Sequence, residues 1–237
     1  MTTGATVLAF DTATEATIVG LSVGGVLVCE RADRPSADER PRHAERLLTL
    51  CEEVLEQSGV GWSDLTRIGV GVGPGTFTGL RIGVATARGL AQGLGVELVP
   101  VSTLEVLALQ VRSNSPEVRS AAVSDARRGE AFIAVWGADG SPEVAPAACR
   151  PGDLVEALFA DGRPTLAAGA GALIFRAELE AGGIEVPADS SELHQVGGAA
   201  LCQLAATGDP IGQEGLLPDY VREPDAEIAL QSRSENQ

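Results

Sequence analysis

The sequence contains no lysine; all 17 of its basic residues are arginine. This absence excludes a P-loop lysine, a Schiff-base lysine, a Ser-x-x-Lys acylase and a kinase-type strand lysine. Histidine is nearly missing as well. His43 and His194 stand alone, outside any H-E-x-x-H or H-x-x-x-H spacing, so the usual helical metal motifs cannot be assembled. Cys29, Cys51, Cys149 and Cys202 form no C-x-x-C pair and no zinc spacing. They read as small core hydrophobes of a reduced, cytoplasmic protein. No G-x-S-x-G elbow is present, which speaks against a serine hydrolase. Aromatic residues are only 3% of the chain, so the core must be built from Val, Leu, Ile and Ala among 29 glycines. The first residues, "MTTGATVLAFDTATEAT", have no basic region, and Asp11 cuts their apolar run short, unlike a signal peptide. No run approaches the ~20 apolar residues of a membrane span.

What is present is an acidic chain of 237 residues with a formal net charge of -16. Such a surface repels a phosphate backbone, so contact with nucleic acid is expected to fall mainly to partners. The segments "TVLAF", "ATIVGLSV" and "GVLVCER" read as three short strands, with a hairpin turn at Gly24-Gly25. A helix follows from "HAERLLTLCEEVLEQSG" to Gly59, then the strand "LTRIGVGVG". A second helix, with Thr76 or Thr78 as cap, ends near Gly93 or Gly95. The strand "VELVPV" and the helix "STLEVLALQVRS" complete the unit. An antiparallel trio followed by strand-helix units is the plan of the ribonuclease-H-like fold, which actin, sugar kinases and Hsp70 use twice. After "NSPEV" the order repeats in reduced form. There is a hairpin around Arg127–Gly129, a strand "EVAPAAC", a helix "PGDLVEALFA", a strand "PTLAAGA", and single helices over "LIFRAELEAGG" and "LHQVGGAALCQLAATG". The expected organisation is therefore an α/β fold of tandem ribonuclease-H-like units, 1–112 and a degenerate 113–224. A polar, disordered tail, 225–237, follows.

Two helices carry more apolar surface than one core face needs. In the helix from His43, residues Ala44, Leu47, Leu48, Leu50, Cys51, Val54 and Leu55 span about 160° of arc. In the helix after the glycine loop, Arg81, Arg88 and Gln92 share one narrow polar stripe. Most other positions there are apolar or small, and Gly79, Gly83 and Ala87 form a small-residue ridge at i, i+4, i+8. Either the two helices pack on each other and on the sheet, or together they form a docking face for another chain.

The loop "GPGTFTG", Gly73 to Gly79, could bind an anion with helix N-terminal N–H groups through Gly73 and Gly75. It lacks the P-loop lysine, its glycine spacing is not a dinucleotide fingerprint, and no acidic residue ends the next strand. "DTATEAT", from Asp11, sits where actin-like ATPases hold phosphate, but Ala13 replaces a glycine and Glu15 adds negative charge. The cluster "SDARRGE", with Ser124, Asp125, Arg127, Arg128 and Glu130, is either a charged turn or a feature of a cleft between the halves.

"LAFDTATEATIVGLS", "RHAERLLTLCEEVL", "GVGPGTFTGLRIGVATARGLAQGLGVELVPVSTLEVLA", "SDARRGEAF" and "LPDYVR" together resemble the bacterial TsaB family, also called YeaZ. The resemblance implies an actin-like, Hsp70-like (ASKHA) fold and a non-catalytic subunit. Such a subunit pairs with the larger TsaD-type paralogue and, with a TsaE-type ATPase, serves formation of N6-threonylcarbamoyladenosine at position 37 of ANN-reading tRNAs. It implies no cofactor on this chain, with ATP or ADP and a metal on the partner subunits, and a homodimer when alone. Where TsaD-type chains carry two metal-binding histidines, this sequence has Thr103 and Leu107, with only Glu105 kept between them. The heterodimer contacts carried over by the resemblance are His43, Leu47, Leu48, Cys51, Phe77, Leu80, Val84 and Ala87. The alternatives are a homodimeric scaffold without such a partner, and an actin-fold kinase or glycopeptidase-like enzyme.

Overall fold

The computed structural model describes residues 4–36, 38–158 and 163–221. The tail expected at 225–237 lies outside the described residues. The first strands are β1 (Thr6–Asp11), β2 (Thr17–Val23) and β3 (Val26–Asp33), followed by α1 (His43–Ser58), β4 (Arg67–Gly73), α2 (Phe77–Leu94), β5 (Glu97–Ser102) and α3 (Thr103–Asn114). They form a five-stranded sheet in the order β3-β2-β1-β4-β5, antiparallel through the first three strands and parallel from β1 onward. The second group is β6 (Arg119–Asp125), β7 (Ala131–Trp136), β8 (Pro142–Cys149), α4 (Leu154–Leu158), β9 (Thr165–Ala168), α5 (Ala170–Ile174), α6 (Arg176–Ala181) and α7 (Gly198–Thr207). Its sheet, β8-β7-β6-β9, repeats the first four positions. Where a fifth strand would lie there is a single parallel bridge, Leu166 to Glu185. Two sheets of matching order make the fold the actin-like tandem expected from the sequence.

β1 is a continuous apolar run because both of its faces are covered. Leu8 and Phe10 enter the core beneath α1 and α2, whereas Val7 and Ala9 enter the opposite core with α3 and α7. Gly59 and Gly95 end α1 and α2 in the left-handed conformation, each donating its N–H back to the last turn.

Three local expectations change. "LIFRAELEAGG" is two helices, because Phe175 turns into the core at the break and leaves Ile174 outside. "LHQVGG" is not helical; a 3-10 turn and an extended strap precede α7, since the Gly197-Gly198 pair disfavours helix at that point. Finally, α7, within the range read as the second unit, packs on the first sheet. Gly20 and Gly69 allow this, because a side chain at either would meet Cys202 or Ala205 of the helix. Both helix ends are capped from that sheet. Glu30 accepts from the Gly198 N–H at 2.8 Å, and the Arg67 guanidinium donates to the carbonyls of Ala205, Ala206 and Gly208.

Candidate functional site

The glycine loop after β4 meets the turn that follows β1. Thr76 N–H donates to the Ala13 carbonyl at 2.8 Å, and the Thr12 hydroxyl donates to the Gly79 carbonyl at 2.7 Å. A Cβ at Gly75 or Gly79 would collide with the Ala13 and Thr12 carbonyls, and one at Gly83 with the Thr12 hydroxyl. The ridge Gly79, Gly83, Ala87 therefore faces inward, with Gly79 and Gly83 against the turn. Gly73 has a positive φ of 114° and abuts Leu80 and the Asp219 carbonyl. Thr76 sits at the N-cap, yet its side chain makes no capping hydrogen bond.

Asp11 ends β1 and is fully buried. One carboxyl oxygen accepts from Ala13 N–H at 2.7 Å, the other from the Thr103 hydroxyl at 2.7 Å. Burial, opposed by these hydrogen bonds, raises its pKa above the ordinary carboxylate value. Thr103 and Leu107, at the start of α3, are themselves buried. Among the described residues no group of three His, Cys, Asp or Glu side chains is placed to hold a metal ion. Glycine, Asp11 and Thr103 here form a closed, internally satisfied junction between strands and helices.

His43 opens α1 but points beneath it. Its Nδ1 lies 2.8 Å from the Thr17 hydroxyl and its Nε2 is buried without a hydrogen-bond partner. Burial lowers its pKa. Leu47, Cys51, Leu80, Val84 and Ala87 are likewise core residues of the protomer. The resemblance carries these six over as direct contacts to another chain; in the protomer their side chains lie within the core rather than on its surface. Their wide apolar arcs arise because α1 and α2 cover the sheet and also touch each other. Of the eight candidates only Leu48, 49% exposed, and Phe77, 39% exposed, present apolar side chains outward.

The sequence reading missed the rest of that outer face. The Phe77 and Tyr220 rings lie 5.5 Å apart, the Arg81 guanidinium stacks 3.6 Å from the Phe77 ring centre, and Arg81 Nε donates to the Tyr220 hydroxyl at 3.0 Å. Arg88 Nε donates to the Gln213 carbonyl at 2.6 Å. The polar stripe of α2 thus seats the segment 213–220, leaving Leu217 exposed beside it. That stripe was the signal: two arginines in line on an otherwise apolar helix needed acceptors.

The β6–β7 hairpin does reach the other half. Arg127 pairs with Glu15 at 2.6 Å and with Asp125 at 3.4 Å, while Glu130 lies 3.7 Å from Arg150. Arg127 and Arg128 both adopt positive φ, at 64° and 55°, a conformation rare outside glycine. The Asp125 carboxylate accepts from Arg127 N–H at 2.7 Å and helps hold that turn. The Glu15 hydrogen bond raises the Arg127 pKa further.

Residues 37–167, more than half of the chain, match the TsaD family, tRNA N6-adenosine threonylcarbamoyltransferase. The chain is 33% identical over 138 residues to the tRNA threonylcarbamoyladenosine biosynthesis protein TsaB of Escherichia coli, a stretch that is 56% of this chain and 55% of that protein. The chain thus spans about half the length of the curated relatives it matches. The structure of YeaZ from Pseudomonas aeruginosa superimposes with a TM-score of 0.74 at 28% identity, covering 91% of this chain and 99% of that one. The ethanolamine utilization protein EutJ from Carboxydothermus hydrogenoformans shares the fold alone, at TM-score 0.52 and 16% identity, over 82% of this chain and 89% of that one. By its family match, its sequence relatives and its whole-fold likeness, this chain belongs to the TsaB (YeaZ) family.

Proposed function

We propose that this chain is the supporting, non-catalytic subunit for formation of N6-threonylcarbamoyladenosine at position 37 of ANN-reading tRNAs, docking a catalytic TsaD-type paralogue. The observation that carries this reading is the contrast between its two candidate sites. The Asp11–glycine-loop junction is filled by the chain's own groups. The outer surface of α1 and α2, by contrast, exposes Leu48 on α1 and Phe77 on α2, the latter against the ring of Tyr220, with Leu217 exposed on the same segment as Tyr220. The first spends its polar groups on one another; the second is a surface that another helix pair could cover. His43, Leu47, Cys51, Leu80, Val84 and Ala87 then shape that face from beneath.

In this reading ATP or ADP and the metal belong to the TsaD-type and TsaE-type partners, and tRNA contact goes mainly through them, because a chain of charge -16 repels a phosphate backbone. The protein works in the cytoplasm. Alone, it uses the same face to form a homodimer. The test is size-exclusion chromatography with light scattering, on the chain alone and mixed with the TsaD-type protein of the same genome. The expected result is a dimer that converts to a one-to-one complex. Leu48→Asp should abolish both without loss of fold. Separate elution with nucleotide and the TsaE-type protein present would end the partner assignment and leave a homodimeric scaffold. Threonylcarbamoyl transfer by the purified chain alone would end the non-catalytic one.

A further inference from the structure

Between the two halves lies a cavity of about 500 Å³, in the size range of small-molecule sites. One wall is the turn Ala13–Ala16, the other is α5, and Leu107 and Val196 lie between. Two features of this cleft are not used by anything described above. Ile174 of α5 is a large apolar side chain left 56% exposed where the helix breaks. Arg34, on the loop after β3, lines the mouth with no hydrogen bond or ion pair among the described residues. The other charged and basic groups are engaged: Arg127 with Glu15 and Asp125, and His194 with the carbonyls of Pro187 and Gly169.

These surroundings select a ligand class. Glu15 and Asp125 line the cleft and would repel a chain of phosphates, and the N–H of Thr76 is spent on Ala13. An apolar body fits the Leu107, Leu173, Ile174 and Val196 surface, and a single negative charge matches Arg34 at the rim, which has no ion pair among the described residues. We propose that this cleft binds a small amphipathic monoanion, an apolar body bearing one carboxylate. Its body rests on Ile174 and its carboxylate pairs with Arg34, beside the Glu15–Arg127 ion pair that joins the halves. The inference does not rest on the function proposed above.

The experiment is a fluorescence titration of the full chain with anilinonaphthalene sulfonate, an apolar monoanion, followed by competition. Saturable one-to-one binding is expected, displaced by octanoate and not by ATP. Arg34→Glu should raise the dissociation constant about tenfold or more, the loss of one charge-assisted contact. Ile174→Asp should weaken it similarly, and Val26→Thr, on the exposed edge strand, should leave it unchanged. Arg34→Glu changes an exposed loop residue, so its folding, checked by circular dichroism, keeps the test decisive if Ile174→Asp does not fold. Unchanged affinity in Arg34→Glu, displacement by ATP, or loss of the signal in Leu48→Asp would overturn the proposal, the last by placing the probe on the outer helix face.

Discussion

The turn after β1 and the turn after β6 occupy equivalent places in the two sheets and begin with the same local device. In each, an aspartate at the strand end accepts from the N–H two residues on, Asp11 from Ala13 and Asp125 from Arg127, both at 2.7 Å. From there they diverge. Asp11 is sealed under the glycine loop and Thr103, while Asp125 stands partly exposed at the cleft. The same short sequence device thus becomes a buried structural joint in one half and a cleft-lining element in the other. What covers the turn decides its chemistry, not the turn itself.

The comparison can be broken most severely at the cover. Gly79→Val places a side chain against the Thr12 carbonyl, and should destabilise the protein by about 3 kcal/mol or more in urea denaturation. Gly129→Val, at the second turn, meets nothing within 4 Å and should cost only the strain of its positive φ, about 1–2 kcal/mol. Equal losses would show that the first turn is not sealed as described.

A smaller effect sharpens the same contrast through pH. The raised Asp11 pKa means that the unfolded carboxyl ionises first, near 3.8. Between that pH and the higher folded value the unfolded chain holds fewer protons, so this group's contribution to stability is present in acid and lost as pH rises. Asp11→Asn should remove that component. Its stability relative to the parent should improve as pH climbs from about 4 through the window, measured by thermal melts across pH. A relative stability that falls instead would mean that the hydrogen bonds from Thr103 and Ala13 outweigh burial.

The smallest change is at the bridge between the two turns. Arg127→Ala removes an ion pair whose partners are 53% and 56% exposed, and should cost under about 1 kcal/mol, less still in high salt.

Much of the fold was legible. The apolar run of β1, the Gly24-Gly25 hairpin, the glycine cap at Gly59, a helix end at Gly93 or Gly95 and the repeated strand order all follow from local pattern. The candidate site was legible in part. Arg127 was read either as part of a charged turn or as a feature of a cleft; in the structure it pairs with Glu15. The glycine loop was legible as departing from the phosphate and dinucleotide motifs, but not the close approach of Thr12 and Ala13 that its glycines accommodate. Which apolar side chains of α1 and α2 face outward was not. A helical wheel shows that Leu47 and Leu48 are both apolar, but not that one lies under the helix and the other on top, because α1 has two neighbours and the wheel has no second helix. Tyr220, distant by 139 residues from Arg81, gave no local sign at all.

The sequence by itself determined the order of strands and helices in the first sheet, many of the places where they start and stop, and which lysine- and histidine-based motifs are missing. These depend on backbone preference, periodicity and the inventory of side chains, which are properties of neighbours in the chain. Only the tertiary structure decided that α7 returns to the first sheet, that Asp11 is sealed while Asp125 is not, and that Arg34 stands beside the cleft with no ion pair among the described residues. Each of these is set by groups far away in sequence, and burial and charge pairing act through space rather than along the backbone.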